Sequence, residues 1–229
     1  MKPSPLVVLF EDNHCLAVSK PAGWLTMGDE TGDPTLLDAA KAYIKERYNK
    51  PGAVFLGVVH RLDRPVSGVV LFARTSKAAA RLSAQFRDRI VEKVYWAAVT
   101  GTGIPAQGEL VGRIAKDRDR NVSTVTDDEG GDSRLAYRVL NRRGDTCLLE
   151  IRPLTGRSHQ IRVQLAHAGW PIVGDRKYGS PRPFEPGRIA LHARSLTVLH
   201  PVTKQSLTVT ADVPARWDKL GMSVSDDSR

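Results

Sequence analysis

The chain has 229 residues, of which 41% are apolar and 26% charged, a balance typical of a folded globular protein. Lys and Arg total 34 against 25 Asp and Glu, and the formal net charge of +9 favours a polyanionic partner such as a nucleic acid, although soluble basic proteins share this feature. Cys15 and Cys147 lack metal-ligand spacing, so they predict neither a disulfide framework nor a zinc site, and they indicate a reducing cytoplasmic location. The absence of a long apolar run argues against membrane insertion and secretion.

The first half of the chain predicts strands and helices separated by short polar turns. Strands are predicted at 6–10, 15–18, 55–59, 69–73 and 91–100, and helices at 34–49 and 76–87. The first helix is predicted to begin with Asp33 as its N-cap and Pro34 in its first turn.

The second half predicts strands with a single helix among them. Residues 101–132 are predicted to form irregular loops and short strands, because glycines and mixed charges interrupt any periodic pattern. The helix is predicted to run from an N-cap at Ser158 to a stop at Gly169. Strands are predicted at 135–140 and 146–151, which form a hairpin, and at 189–193, 196–199 and 207–210.

This order of elements predicts an α+β fold with a mixed, largely antiparallel central sheet and flanking helices. No repeat or break in composition divides the sequence. We therefore expect a single domain over residues 1–220, alternatively folded as two lobes around a central cleft, followed by a flexible tail at 221–229.

The most informative segment is the loop 60–68 between two apolar strands, where Asp63 lies between Arg61 and Arg64. Two neighbouring cations should keep this carboxylate anionic, as a nucleophile requires. The plainer alternative is a turn aspartate in a surface salt bridge. His60 closes a buried strand, and a structural role is favoured for it over that of a general base.

Two further segments are candidates for binding or chemistry. Tyr95, on a predicted strand, is either a core residue or a platform on which a base stacks, and burial statistics favour the core. Arg157 and Arg162 lie near the start of the late helix, where free amide groups favour anions. A solvated basic helix start is the alternative for these two arginines.

Taken together, these segments resemble the RluA-type pseudouridine synthases over about residues 6–214. The resemblance rests on His60 to Gly68, on Lys93-Val94-Tyr95 and on Leu154 to Arg162, with Gly169 to Asp175 and Lys177-Tyr178-Gly179 also matching. It implies an isomerase that detaches uracil from a flipped uridine in RNA, turns it and rejoins it through C5. Neither a cofactor nor a metal is implied.

By the same resemblance, Asp63 is the nucleophile, Arg162 pairs with it, Tyr95 stacks on the uracil, and Arg61 fills the place of the flipped nucleotide. The remaining residues expected to contact RNA are His60, Arg64, Arg157 and His159. The expected partner is a stem-loop of rRNA or tRNA, with no membrane and no obligate protein partner, and a monomer is expected. Two alternatives stay open: a catalytically silent RNA-binding protein, and a ribonuclease that uses His60 or His159.

Overall fold

The computed structural model describes residues 6–221 except 30, 118, 128 and 129. Most of the predicted tail at 221–229 therefore lies outside the described residues. The fold is α+β, as predicted. Its strands are β1 (Val7–Glu11), β2 (Cys15–Lys20), β3 (Gly57–Val58), β4 (Ser67–Ala73), β5 (Glu92–Thr100), β6 (Gln107–Asp117), β7 (Val122–Thr126), β8 (Gly131–Arg143), β9 (Thr146–Pro153), β10 (Leu191–Leu199) and β11 (Ser206–Thr210). Its α-helices are α1 (Leu36–Arg47), α2 (Ser76–Arg87) and α3 (Gln160–His167), and single 3-10 segments lie at Arg176–Tyr178 and Ala215–Leu220.

The chain divides into two compact units. The first unit comprises residues 1–93 and 193–212, and the second comprises 94–192 and 213–229. In the first unit the strand order is β1-β2-β4-β10, with β3 beside β4 and β11 beside β10. The pairs β1–β2, β2–β4, β3–β4 and β10–β11 are antiparallel.

The core of the first unit lies between this sheet and α2. Alternate residues of β2 and β4 point to one face, and there they pack against Ala78 and Leu82 of the helix. The observed α2 has the predicted bounds, and the Thr75 hydroxyl accepts the N–H of Ala78 as its N-cap. Cys15 is fully buried in this core.

The start of α1 differs from the prediction at Asp33 and Pro34. Thr35 is the N-cap: its hydroxyl accepts the Asp38 N–H at 3.1 Å, and the Asp38 carboxylate accepts the Thr35 N–H at 3.3 Å. This reciprocal capping box satisfies two backbone donors of the first turn, so it fixes the helix start two residues later than the proline suggested.

In the second unit, β5, β9, β8, β6 and β7 form an antiparallel sheet in that order. The prediction of irregular loops and short strands at 101–132 is correct for β7, a strand of 5 residues, and wrong for β6, which is a regular strand of 11 residues. Gly108 and Gly112 hid the alternating pattern, and both lie where a side chain packs closely against β6, the Tyr137 ring at Gly108 and Val125 at Gly112. The predicted hairpin is confirmed as β8 and β9, with Cys147 buried on β9.

Helix α3 packs on β6 and β7 and begins later than predicted. Its N-cap is His159 and not Ser158, and His159 adopts the left-handed conformation with φ of 54°. Gly169 follows the helix with φ of 81°, consistent with the predicted stop. Among the described residues, no helix is both long enough and apolar enough to cross a membrane.

Candidate active site

The loop that carries Asp63 is fastened to the segment that follows β2. Asp63 is half-buried, and its carbonyl accepts the Val66 N–H at 3.0 Å, which closes a turn. The Thr26 hydroxyl donates to the Leu62 carbonyl at 3.0 Å and accepts the Leu62 N–H at 3.2 Å. Since Leu62 and Thr26 are both buried, this pair of hydrogen bonds fixes the residue next to Asp63.

Lys20 is a second anchor for the same loop. Its side chain is fully buried, and its Nζ donates to the carbonyls of Pro21 at 3.2 Å, Trp24 at 2.6 Å and Arg64 at 3.1 Å. Burial lowers the pKa of Lys20 to about 7, while the negative charge of Asp63 opposes that shift. The Lys20 side chain is thus close enough to Asp63 to interact with its charge, and it holds the backbone at Arg64, directly after Asp63.

Arg64 and Arg61 differ in what they contact. Arg64 donates from Nε to the Gly23 carbonyl at 3.2 Å and pairs with Asp33 at 2.7 Å. Arg61 is exposed, and the described part of the chain gives it neither a hydrogen bond nor an ion pair. Arg64 therefore supports the loop, whereas Arg61 is accessible for a substrate.

His60 has the features of a structural residue. Its Nε2 accepts the Leu71 N–H of β4 at 2.9 Å, and its ring stacks on Phe86 with centroids 4.8 Å apart. Burial lowers the pKa of His60 to about 4, and the charge of Lys93 acts in the same direction. These contacts support the structural alternative and occupy the nitrogen that a general base would use.

Gly68 ends the loop where it enters β4. Its φ is +121°, and a Cβ built there would lie 2.2 Å from the Ala193 carbonyl oxygen. No side chain fits at that distance, so glycine is required for this close approach of two backbones.

In the second unit, Arg162 of α3 is 5% exposed and forms a two-point ion pair with Asp175, which is 1% exposed. The Nε–Oδ2 and Nη2–Oδ1 distances are 2.7 and 2.8 Å. Asp175 is a site residue that sequence reasoning did not assign, although it lies in the matching segment 169–175. The expected pairing of Arg162 with Asp63 is untested and stays a prediction.

Tyr178 also contacts Arg162, and its role was not predicted. The Arg162 guanidinium lies over its ring, 5.0 Å from the centroid. Its hydroxyl accepts the Ser123 N–H at 3.0 Å and lies 2.7 Å from His159 Nδ1. Burial raises the pKa of Tyr178, so the hydroxyl stays protonated while it shares a hydrogen bond with His159 Nδ1. His159 is therefore engaged within its own unit.

The turn before α3 is fixed by Gln160. Its buried Oε1 accepts the Arg157 N–H at 3.0 Å and the Thr155 hydroxyl at 2.8 Å. The Arg157 side chain is exposed and donates from Nε to the Asp132 carbonyl at 3.1 Å. The guanidinium of Arg157 thus lies at the surface, as an RNA contact requires.

Tyr95 lies near the start of β5, paired with Ile151 of β9. It is half-buried, whereas the following residues from Ala97 to Thr100 are buried. The strand therefore holds the Tyr95 ring at the edge of the buried region. This placement suits a platform on which a base stacks better than it suits a core residue.

Asp12, Cys15 and His200 form a group of metal-ligand type, with atoms within 4.8 Å of one another. His200 Nδ1 accepts the Thr203 N–H at 3.0 Å, which places the ring proton on Nε2, 2.8 Å from Asp12 Oδ2. A metal ion would need that nitrogen unprotonated. Burial, together with the charge of Asp12, also raises the pKa of Cys15 to about 12. The group fits a hydrogen-bonded pair beside a buried thiol.

Comparison with known proteins identifies the family. A family model described as RNA pseudouridylate synthase matches residues 14–167. The match covers the Asp63 loop, Tyr95 and Arg162. The chain belongs to this family, and with the RluA-type relatives described next it is an RNA pseudouridine synthase, an isomerase that modifies RNA.

Similar curated proteins include the ribosomal large subunit pseudouridine synthase D of Xanthomonas campestris, 38% identical over 98% of this chain and 71% of that protein. The dual-specificity RNA pseudouridine synthase RluA of Escherichia coli K12 is 36% identical over 90% of this chain and 92% of its own length. Among solved structures, human RNA pseudouridylate synthase domain containing 1 has a TM-score of 0.74 and 27% identity over 93% of this chain and 87% of that one. Human RNA pseudouridylate synthase domain containing 4 has a TM-score of 0.78 at 24% identity. The match covers 94% of this chain and 93% of that one, and it supports the fold.

Proposed function

We propose that the protein converts uridines in structured RNA, either large-subunit rRNA or tRNA, to pseudouridine with Asp63 as the nucleophile. The observation that carries this proposal is the loop at Asp63, a half-buried carboxylate whose neighbouring residues are fastened by Thr26 and Lys20. A nucleophile must be held in place while the substrate rearranges, and such anchoring supplies that rigidity. The names of two relatives, a ribosomal large subunit pseudouridine synthase and a dual-specificity RNA pseudouridine synthase, support rRNA and more than one class of RNA as substrates.

The reaction breaks the bond between uracil N1 and ribose C1′ and forms one between C5 and C1′, while a proton leaves C5 and N1 gains one. No electrons are gained or lost, so no redox cofactor is required. Asp63 attacks either the ribose or the uracil ring, and both routes are compatible with its exposure.

The substrate uridine must leave its helix to reach a carboxylate in a loop. In the proposed mechanism, Tyr95 stacks on the everted uracil and the exposed Arg61 replaces it in the stack. Arg162 pairs with Asp63 and keeps it ionised and oriented. Asp175 and Tyr178 are positioning residues, since they hold the guanidinium of Arg162 by an ion pair and by ring contact.

We further propose that the two units act as lobes of one catalytic domain over residues 1–220, and that the protein works as a cytoplasmic monomer. The ribonuclease alternative is disfavoured, because it requires an available histidine pair. His60 Nε2 accepts a backbone N–H, and His159 Nδ1 is bonded to Tyr178. The catalytically silent alternative is decided by the experiment below.

The test is Asp63→Asn, with the exposed Asp88→Asn as the matched control. RNA carrying tritium at uridine C5 releases the label when C5 becomes the glycosidic carbon. We expect Asp63→Asn to abolish tritium release while thermal unfolding and RNA binding stay at wild-type values, and Asp88→Asn to behave as wild type. Turnover by Asp63→Asn would refute the nucleophile assignment. Absence of turnover by the wild-type protein on total rRNA and tRNA would favour the silent RNA-binding alternative.

A further inference from the structure

A group of cationic side chains surrounds a depression at the tip of the β8–β9 hairpin in the second unit. The depression has a volume of about 320 Å³. Its cations are Arg143, Arg182 and Lys219, and we call these three residues the basic cluster. The lining is completed by Gly144, Asp145, Thr146 and Leu220.

The carboxylates around the basic cluster do not neutralise it. Asp145 is the acidic residue in the lining, and it lies 3.3 Å from Arg182. Glu185 is already paired with Arg188 at 2.8 Å and Arg216 at 2.5 Å, and Lys219 reaches it at 3.9 Å. Within the lining, Asp145 is thus the single carboxylate beside the three cations of the basic cluster.

Arg143 also lacks an acidic partner, since its guanidinium donates to the Gly221 carbonyl at 2.8 Å and the described residues offer it no ion pair. The side chains of Lys219 and Arg182 are 77% and 42% exposed. The depression therefore combines surplus positive charge, accessible donors and a concave shape, which together suit a phosphate group.

The register of the sheet relates the basic cluster to Tyr95. Tyr95 pairs with Ile151, and Thr100 pairs with Thr146, which lines the depression. Five residues of β5 separate the two positions, a distance of about 17 Å along the strand. An RNA strand spans a distance of this size with several nucleotides.

We propose that the basic cluster binds backbone phosphates of the substrate RNA several nucleotides from the target uridine. This inference rests on the proposed function, because it takes Tyr95 as the residue that stacks on the uracil. Phosphate contacts position a nucleic acid without reading its sequence. The basic cluster accordingly contributes affinity and register, and the choice of uridine is made elsewhere.

An acidic protein segment is the competing ligand for such a surface. RNA is favoured because a polymer of regularly spaced phosphates, held at Tyr95 in the same unit, has a high effective concentration at a second contact. Guanidinium groups also match phosphate oxygens in two-point geometry.

The test is the triple variant Arg143→Gln, Arg182→Gln, Lys219→Gln. The matched control is Lys45→Gln, Lys77→Gln, Arg87→Gln, which removes the same charge from exposed positions on α1 and α2. Binding of a labelled RNA hairpin of about ten base pairs is measured over a range of salt concentrations, beside a shortened hairpin of about three base pairs. The RNA loop in both contains uridines, and tritium release is followed in parallel.

The triple variant is expected to bind the long hairpin at least about tenfold more weakly, and its slope of log K against log salt should fall by about 2 to 3. The short hairpin and the rate at saturating RNA should be unaffected, and the control variant should match the wild type. Should the triple variant lose its fold, Lys219→Gln alone should lower the slope by about 1, because its single 3.9 Å contact makes it dispensable for folding.

Unchanged affinity and salt slope on the long hairpin would overturn the inference, as would equal weakening on both hairpins. Those outcomes leave the proposed function standing wherever the wild-type protein releases tritium. Failure of the wild-type protein to release tritium from any RNA would instead refute the proposed function itself.

Discussion

Replacement of Lys20 by methionine tests whether the loop at Asp63 must be held rigidly. Methionine fills much of the same buried space but cannot donate to the carbonyls of Pro21, Trp24 and Arg64. Hydrogen bonds to charged groups contribute about 1.5 to 3 kcal/mol each, and the relief of burying an ammonium offsets part of their loss. We expect the free energy of unfolding to fall by about 2 to 4 kcal/mol.

Activity should fall further than the loss of stability explains. The bond to Arg64 lies one residue beyond Asp63, so its removal lets the carboxylate move. A displacement of about 1 Å at a reacting group costs on the order of a hundredfold in rate. Tritium release at saturating RNA, measured where the variant is fully folded by circular dichroism, should therefore drop by about ten- to a hundredfold.

Lys77→Met is the control, since Lys77 is exposed on α2. It should leave both the unfolding free energy and the rate at wild-type values. The reasoning fails if Lys20→Met unfolds at the wild-type denaturant concentration and turns over RNA at the wild-type rate, because the loop would then keep its geometry without the buried ammonium.

Three further variants address the second unit and His60. Asp175→Asn should cost about 3 to 5 kcal/mol in denaturant unfolding, because it removes the carboxylate of a buried two-point ion pair with Arg162, and it should lower kcat more than it raises KM. A rise in KM with an unchanged kcat would instead indicate that Arg162 binds a phosphate. Tyr178→Phe keeps the ring under Arg162 but loses two hydrogen bonds, so about 1 to 3 kcal/mol of stability should be lost, with a smaller change in kcat than for Asp175→Asn. The pKa of His60 is lowered to about 4 in the folded protein, so the unfolded chain binds the extra proton between pH 6.5 and 4 and stability falls as the pH drops through that window. Between pH 6.5 and 4 the free energy of unfolding of the wild type should fall by about 3 kcal/mol more than that of His60→Gln, which has no titrating ring at this position. Parallel curves of unfolding free energy against pH for the two proteins would contradict the burial argument.

Amphipathic elements were predictable where local signals agree. Helix α2 combines apolar residues at helical spacing with the N-cap Thr75, and its bounds match the prediction. The hairpin of β8 and β9 was equally readable from alternating strands around a glycine-containing tip. The start of α3 was not, because the left-handed backbone of His159 leaves no mark in the residue pattern.

The motifs at Asp63, Tyr95 and Arg162 could be found from the sequence because they are contiguous segments that resemble a known family. Their supports could not. Lys20 is an ordinary lysine by sequence, and lysines are rarely buried, so only the three carbonyls around its Nζ explain its position. Asp175 and Tyr178 meet Arg162 through the packing of α3 against the 3-10 segment, and no local spacing predicts that contact.

Each unit contains one buried cysteine, Cys15 in the first and Cys147 in the second. A thiol enclosed in this way reacts with an alkylating reagent when its surroundings open. The protein therefore carries two natural reporters, and the alkylation rates of the two thiols, separated by peptide mass, would compare the opening of one half of the chain with that of the other.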